Sequence, residues 1–353
     1  MRTRGPRTPL APRLGRAVPK GWGGVGAMAA LCVLALAFAL LLPCLPSPGG
    51  DGGGSGPRPA LGAPGTARAS QARAGACKDS EAQNRSLSPS GAGGATVSAI
   101  RARGYLSVGV DQNSYRWGYR NPNNSSGELE GFDIDLAHRI ARDVLGDADK
   151  VQFKAIPTNE RIPAIKSGRV DMVVRTMTIT CDRLEQVAFS APYFLTGQQV
   201  LAPKTSPVKG YDRTLAGKRV CSATGSTAYD HLFADKGNGT LPASTDIGTT
   251  VPNQLDCLVR LQLGEVDAVV TDGALAASQA AQDPAVELKG GTFTKEYYGV
   301  AMKRGADDLV RQVNRTLENY RKDGGWKASY DKWLSPTLGR DSQSATPPAA
   351  SYG

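Results

Sequence analysis

The stretch RTMTITCDR, residues 175–183, sets three threonines, two arginines, an aspartate and a cysteine in nine positions directly after the apolar Met172-Val173-Val174. A short β-branched run of that kind reads as a buried strand, so the polar cluster lies at a strand's carboxyl end. In open α/β sheets that is where ligands bind. The hydroxyls of Thr176 and Thr178, nearby backbone N–H groups and the guanidinium of Arg183 suit one small anion, because a planar guanidinium meets a carboxylate with two parallel hydrogen bonds. The same residues also fit a plain helix start, with Thr180 as cap and Asp182 in the first turn. Spacing alone leaves both readings open.

Outward from this stretch, short β-branched runs alternate with helical periodicity. Residues 105–110, 151–156, 172–174, 199–202, 219–222 and 268–270 read as strands, and 161–166, 253–263, 273–281 and 307–321 as helices. Residues 132–145 form an amphipathic helix with Leu136, Ile140 and Val144 on one face. The alternation predicts an α/β fold with mainly parallel sheets. A second strand–helix series restarts near Leu215-Ala216-Gly217-Lys218-Arg219-Val220, so two α/β units are expected, with a crevice between their strand ends.

The net charge of +10 invites a nucleic-acid partner until it is located. Residues 1–76 hold nine Lys/Arg against the single acid Asp51, and the remaining chain is close to neutral, with no basic stripe interleaved with aromatics. That argues against nucleic acid. Arg2, Arg4, Arg7, Arg13, Arg16 and Lys20 instead precede an uncharged apolar run over 25–42, followed by Pro43 and glycine-rich sequence. Such a segment is an export signal or a membrane anchor whose basic start stays inside. Pro43 stands where a signal cleavage site wants a small residue, and Ala74-Gly75-Ala76-Cys77 lies far past the apolar core. An uncleaved anchor is therefore expected, with lipidation at Cys44 as the alternative. Both place the folded part outside the cytoplasmic membrane.

The expected organisation is a basic cytoplasmic start over 1–24, a signal or anchor over 25–45, a flexible Gly/Pro/Ser-rich tether over 46–97, the folded body, and a disordered tail over 339–353. The tether and tail have too little apolar surface to offset their ordering entropy. Cys32 and Cys44 belong to the apolar segment, which leaves Cys77, Cys181, Cys221 and Cys257 outside the membrane. Four cysteines in an oxidising compartment, with no C-x-x-C spacing and only His138 and His231 for company, predict two disulfides rather than a zinc site. No metal or other cofactor is expected.

Three motifs carry a resemblance: Gly131-Phe132-Asp133-Ile134-Asp135-Leu136-Ala137, Arg161-Ile162-Pro163-Ala164-Ile165-Lys166-Ser167-Gly168-Arg169-Val170-Asp171, and TMTITCDRLEQVAFSAPYF from Thr176. In this order, over roughly 98–335, the chain resembles the amino-acid-binding branch (family 3) of the bacterial extracellular solute-binding proteins. In detail it is most similar to the glutamate/aspartate-binding proteins of actinobacteria. The resemblance implies a two-lobed periplasmic-binding-protein-like fold of type II, closing over one amino acid. Lobe 1 would span 98–202 and 298–338, and lobe 2 would span 203–297. The crossings would fall near Val200-Leu201-Ala202 and Tyr298-Gly299-Val300.

The resemblance also implies roles. Thr178 and Arg183 would hold the ligand's α-carboxylate with Thr176 beside them, and Gly225-Ser226-Thr227 would add contacts from a helix start in lobe 2. Asp272 would accept from the α-ammonium, or simply cap the next helix. Arg161 matches a position where binders of acidic amino acids place an arginine against the distal carboxylate, with Thr158 close by. Arg175 is a second cation within reach; either arginine would otherwise lie on a lobe surface. Trp117 would form an aromatic wall over the ligand or pack in the core, and its segment departs from the family's proline-containing pattern. Within this lobe assignment the disulfides would be Cys221–Cys257 and Cys77–Cys181.

The function so implied is extracytoplasmic capture of glutamate or aspartate by a monomer that delivers it to an ABC importer. A sensor signalling to a membrane partner is the alternative. An enzyme on the same fold is the third reading, disfavoured because no nucleophile–base pair or P-loop is present.

Overall fold

The computed structural model describes residues 77–125 and 127–353. The expected basic start, the apolar run 25–42, Cys32, Cys44 and the glycine-rich stretch up to residue 76 lie outside the described residues. Among the described residues no helix is long and apolar enough to cross a membrane.

In chain order the first lobe runs α1 (Ala95–Arg103), β1 (Leu106–Val110), α2 (Phe132–Leu145), β2 (Val151–Ala155), α3 (Arg161–Lys166), β3 (Met172–Val173), α4 (Cys181–Leu184) and β4 (Ala188–Phe189). A crossing strand, β5 (Phe194–Thr196), leads into the second lobe: β6 (Gln198–Pro203), β7 (Arg219–Ala223), α5 (Thr227–Asn238), β8 (Asp246–Val251), α6 (Gln254–Gln262), β9 (Ala268–Asp272), α7 (Gly273–Ala280) and β10 (Val286–Lys289). The chain returns through β11 (Glu296–Tyr298) to β12 (Ala301–Met302), α8 (Asp307–Lys322) and α9 (Gly325–Trp333).

All five residues of β1 are buried, as a strand covered by helices on both faces requires. Leu136, Ile140 and Val144 of α2 are buried on its inner face, joined by Phe132, Ile134, Ala137 and Ala141. The first sheet has the order β2-β1-β3-β12-β4 and the second β8-β7-β9-β6-β10.

Neither sheet is mainly parallel. In the first, β1 is parallel to β2 and β3, whereas β12 is antiparallel to β3 and β4. In the second, β7 is parallel to β8 and β9, whereas β6 is antiparallel to β9 and β10. The physical reason is the double crossing: each lobe receives one strand from a chain arriving from the other lobe, and it enters against the local direction.

The crossing itself is a two-stranded antiparallel ribbon, with Phe194 opposite Tyr298 and Thr196 opposite Glu296. Residues 198–202, expected in lobe 1, belong to the second sheet. Val200 and Ala202 enter the apolar cluster on one face of that sheet and Leu201 the cluster on the other. The apolar run that suggested a crossing is thus a central strand buried on both sides, and the first crossing lies a few residues earlier.

Both expected flexible segments are corrected where they are described. Residue 77 onward is tied to lobe 1 by the Cys77–Cys181 disulfide. Asp79 Oδ1 accepts from the Cys181 N–H at 2.6 Å, and Ser86 Oγ donates to the Phe189 carbonyl at 2.9 Å. The C-terminal tail is ordered too. Tyr330 OH donates to the Gly339 carbonyl at 2.7 Å, Ser344 Oγ donates to the Leu195 carbonyl in β5 at 2.7 Å, and Ser351–Tyr352 pairs in parallel with Arg85–Ser86. Composition registers the lack of apolar surface but not a disulfide or borrowed backbone hydrogen bonds. The second disulfide, Cys221–Cys257, joins β7 to α6 in the core of lobe 2.

Candidate ligand-binding site

The helix start read in RTMTITCDR is present. Thr180 caps α4, its side chain accepting from the Arg183 N–H at 3.3 Å, and that helix start aims Arg183 into the crevice. Thr178 pairs with Tyr298 of β11 in an isolated bridge, which brings the end of β3 against the crossing ribbon. Thr176 sits at φ +39°, a left-handed conformation that costs a β-branched residue energy. Its N–H is held there by Asp133 Oδ2 at 3.0 Å, and Tyr193 OH donates to the other carboxylate oxygen at 2.8 Å. Asp133 is wholly buried, and burial pushes its carboxyl up to about 7 in spite of both donors.

Arg161 and Arg183 are buried and make no ion pair among the described residues. Arg183 donates to the carbonyls of Thr178 at 2.7 Å and Gly225 at 3.1 Å. Arg161 donates to the carbonyls of Thr158 at 2.8 Å, Arg175 at 3.4 Å and Gly225 at 3.1 Å. Two guanidiniums from lobe 1 thus meet on one carbonyl of lobe 2. Burial, then the charges of Arg183 and Arg175, drive the affinity of Arg161 for its proton well down. Burial lowers Arg183 likewise, against the opposing pull of Asp230, Glu296 and Asp272. Neither lies on a lobe surface.

Arg175 is different. It is fully buried, and its guanidinium lies 2.7 Å from Asp111 Oδ2, with further bonds to Thr158 Oγ1 and Asn253 Oδ1, each at 3.0 Å. Its charge is neutralised within the protein, so the expectation that it faces a ligand carboxylate gives way to a positioning part. It ties the end of β1 to the cap of α6. The Thr158 hydroxyl is likewise engaged, donating to Gln254 Oε1 at 3.2 Å.

From lobe 2, Gly225 turns at φ +75°, where an added Cβ would lie 3.0 Å from Asn159 Cα. Only glycine allows both the turn and this approach. Ser226 caps α5, accepting from the Tyr229 N–H at 3.1 Å. Thr227 Oγ1 donates to Glu296 Oε2 at 3.1 Å and accepts from Gln198 Nε2 at 2.9 Å. Asp272 does not cap α7, since its side chain makes no cap hydrogen bond. It accepts instead from Tyr298 OH and Gln198 Nε2 inside the crevice. Burial and the neighbouring Glu296 push its carboxyl up to about 7, against the pull of the Tyr298 hydroxyl, Arg161 and Arg183.

Trp117 belongs to the core. It is fully buried and meets Phe132, Phe194 and Tyr298 edge-on at 5.7, 4.8 and 5.8 Å, one ring behind Tyr298. The sequence reading missed Asp111, Asp133, Gln198, Glu296 and Tyr298. Asp111 comes directly after β1 and was legible by the strand-end rule. Glu296 and Tyr298 sit in a three-residue strand without periodicity and carry no such signal. Among the described residues no group of three or more His, Cys, Asp or Glu side chains is placed to hold a metal.

Comparison with known proteins agrees with this architecture. The family model of the bacterial extracellular solute-binding proteins, family 3, matches residues 106–336. The glutamine-binding protein GlnH of a Bacillus subtilis ABC transporter is 35% identical over 239 residues, 68% of this chain and 84% of that protein. The glutamate-binding protein GluB of Corynebacterium efficiens is 30% identical over 279 residues, 76% of this chain and 86% of that one. Among solved structures, an ancestral arginine-binding protein bound to glutamine superimposes with a TM-score of 0.60 at 37% identity, covering 66% of this chain and 98% of the other. With two α/β lobes, a crossing ribbon and a buried polar crevice between them, the chain belongs to the bacterial extracellular solute-binding proteins, family 3, and has their type II two-lobed fold.

Proposed function

We propose that the protein captures an acidic amino acid, glutamate or aspartate, between its lobes outside the cytoplasmic membrane and delivers it to an ABC importer. The apolar segment over 25–42 would hold it at the membrane. The observation that carries the ligand class is the pair Arg161 and Arg183: two buried guanidiniums that donate only to backbone carbonyls, beside the buried carboxylate of Asp272. A buried charge calls for a partner. In this reading Arg183, with Thr178 and the N–H groups around it, takes the α-carboxylate, Arg161 takes the distal carboxylate, and Asp272 takes the α-ammonium.

A second reading, glutamine, draws on the 35% identity to a glutamine-binding protein and on the two buried acids, Asp272 and Glu296, that balance the two arginines. It keeps Arg183 and Asp272 in place and changes only the group opposite Arg161. A thermal-shift screen of the common amino acids and subsequent calorimetry separate them, because binding raises stability by mass action. Glutamate and aspartate are expected to bind most tightly. Glutamine bound more tightly than glutamate would overturn the part given to Arg161.

A further inference from the structure

We propose that Glu296 and Gln198 are ligand-binding residues, which with Asp272 form a three-acceptor cradle for the ligand's primary ammonium group. The inference deepens the amino-acid reading above and rests on it.

Glu296 opens β11, at the point where the chain crosses between the lobes, and only 2% of it is exposed. Its hydrogen-bond donors are two hydroxyls, Thr227 Oγ1 at 3.1 Å and Thr294 Oγ1 at 3.0 Å. The basic group nearest it among the described ion pairs is His231 Nε2 at 4.0 Å, a cation only when protonated. Arg183 is near enough for its field to be felt, but its Nη atoms are turned to the carbonyls of Thr178 and Gly225.

Asp272 is in the same position, since both of its donors are neutral, the Tyr298 hydroxyl and the Gln198 amide. Gln198 joins the two acids. Its Nε2 donates to Asp272 and to Thr227, and Thr227 passes a hydrogen bond on to Glu296. The other end of the amide, Oε1, is buried and accepts nothing, in a residue with no exposed surface. A buried acceptor left without a donor is destabilising, because its desolvation goes uncompensated.

The plain alternative is that these residues only brace the crossing ribbon. A brace has no use for the charge, because a glutamine at 296 could accept from one of the two hydroxyls and donate to the other without burying a carboxylate. What the chain Asp272–Gln198–Thr227–Glu296 lacks is a positive charge beside its two carboxylates and a donor for Gln198 Oε1. A primary ammonium supplies one charge and three donors. A ligand without a free amine, or with an acylated one, would leave Gln198 Oε1 unmet and both carboxylates without a counter-charge.

The test compares L-glutamate with glutarate, which keeps both carboxylates and lacks the amine, on the full chain and on Glu296→Gln. Calorimetry serves for the amino acid and competition at millimolar concentration for glutarate. Should the screen show glutamine as the ligand, the pair becomes L-glutamine and glutaramate. The wild-type protein is expected to prefer the amino acid by on the order of 100-fold, as loss of a partner from a buried charge pair implies. In Glu296→Gln that preference is expected to shrink by about tenfold or more, through weaker binding of the amino acid alone. Equal losses for both ligands, or no loss, would make Glu296 a brace and end the proposal. Should that variant fail to fold, the wild-type comparison decides: glutarate bound as tightly as glutamate removes the cradle. Failure of every amino acid to bind the wild-type protein would instead remove the reading on which the proposal rests.

Discussion

At the scale of single residues, the crevice is a set of charges removed from water and held in place by backbone. Asp272 shows the consequence most directly. With its carboxyl pushed up to about 7, the unliganded protein keeps a proton there at a pH where the unfolded chain, with an ordinary value near 4, has lost it. The folded state binds the extra proton between about 4 and 7, so this group's contribution to stability falls as pH rises through that window. Asp133 contributes with the same sign. A ligand ammonium favours ionised Asp272, as Arg161 and Arg183 do, whereas Glu296 opposes it. Binding below pH 7 is therefore expected to release up to about one proton, and affinity to fall as pH drops from about 7 to 5, by at most about tenfold per unit. Calorimetry at pH 6 in two buffers of different ionisation enthalpy measures the proton count; proton uptake would contradict the pairing of Asp272 with a cation.

At the scale of elements, the stretch after β3 shows how one segment does two jobs. Thr180 ends the extended chain and starts α4, and that start sets the direction of Arg183. The disulfide between β7 and α6 does comparable work in lobe 2, fixing a helix whose first residues, Asn253 and Gln254, take hydrogen bonds from Arg175 and Thr158 of the other lobe. Its ends are 36 residues apart, a loop whose closure stabilises the fold by about 4 kcal/mol in the chain-entropy model. The double substitution Cys221→Ala/Cys257→Ala is expected to lower stability by about that much in chemical denaturation, and to weaken ligand binding through the displaced cap of α6. A change under about 1 kcal/mol would show that the sheet alone holds α6.

At the scale of the whole molecule, the two termini of the described chain act on the crossing ribbon and on each other. Ser344 holds β5, and residues beyond it pair with Arg85–Ser86, close to the segment that Cys77 fastens to α4, the helix that carries Arg183. Removing residues 340–353 is expected to lower the melting temperature by a few degrees, equivalent to about 1–2 kcal/mol for a body of this size, without loss of the lobes' secondary structure. Differential scanning calorimetry of the truncated chain checks it; an unchanged melting temperature would return the tail to the status its composition suggested.

Local pattern settled a good deal by itself: the α/β class from alternating periodicities, the bounds of α3, the inner face of α2, and a polar cluster at the end of β3. These are short-range properties, set by which side chains recur at 2 or 3.6 residues and by the residue types just beyond a buried strand. The family's motifs added the two lobes. Tertiary structure alone decided which charges are spent and which are free. Arg175 and Arg161 carry the same side chain, yet one is neutralised by Asp111, far from it in sequence, and the other meets only carbonyls. Glu296, Gln198 and Tyr298 join the crevice only because two distant strands pair across the crossing, and the tail is ordered only because another segment lends it backbone partners. Burial and ion pairing are properties of assembled surfaces, and no window of the sequence contains both sides of such a contact.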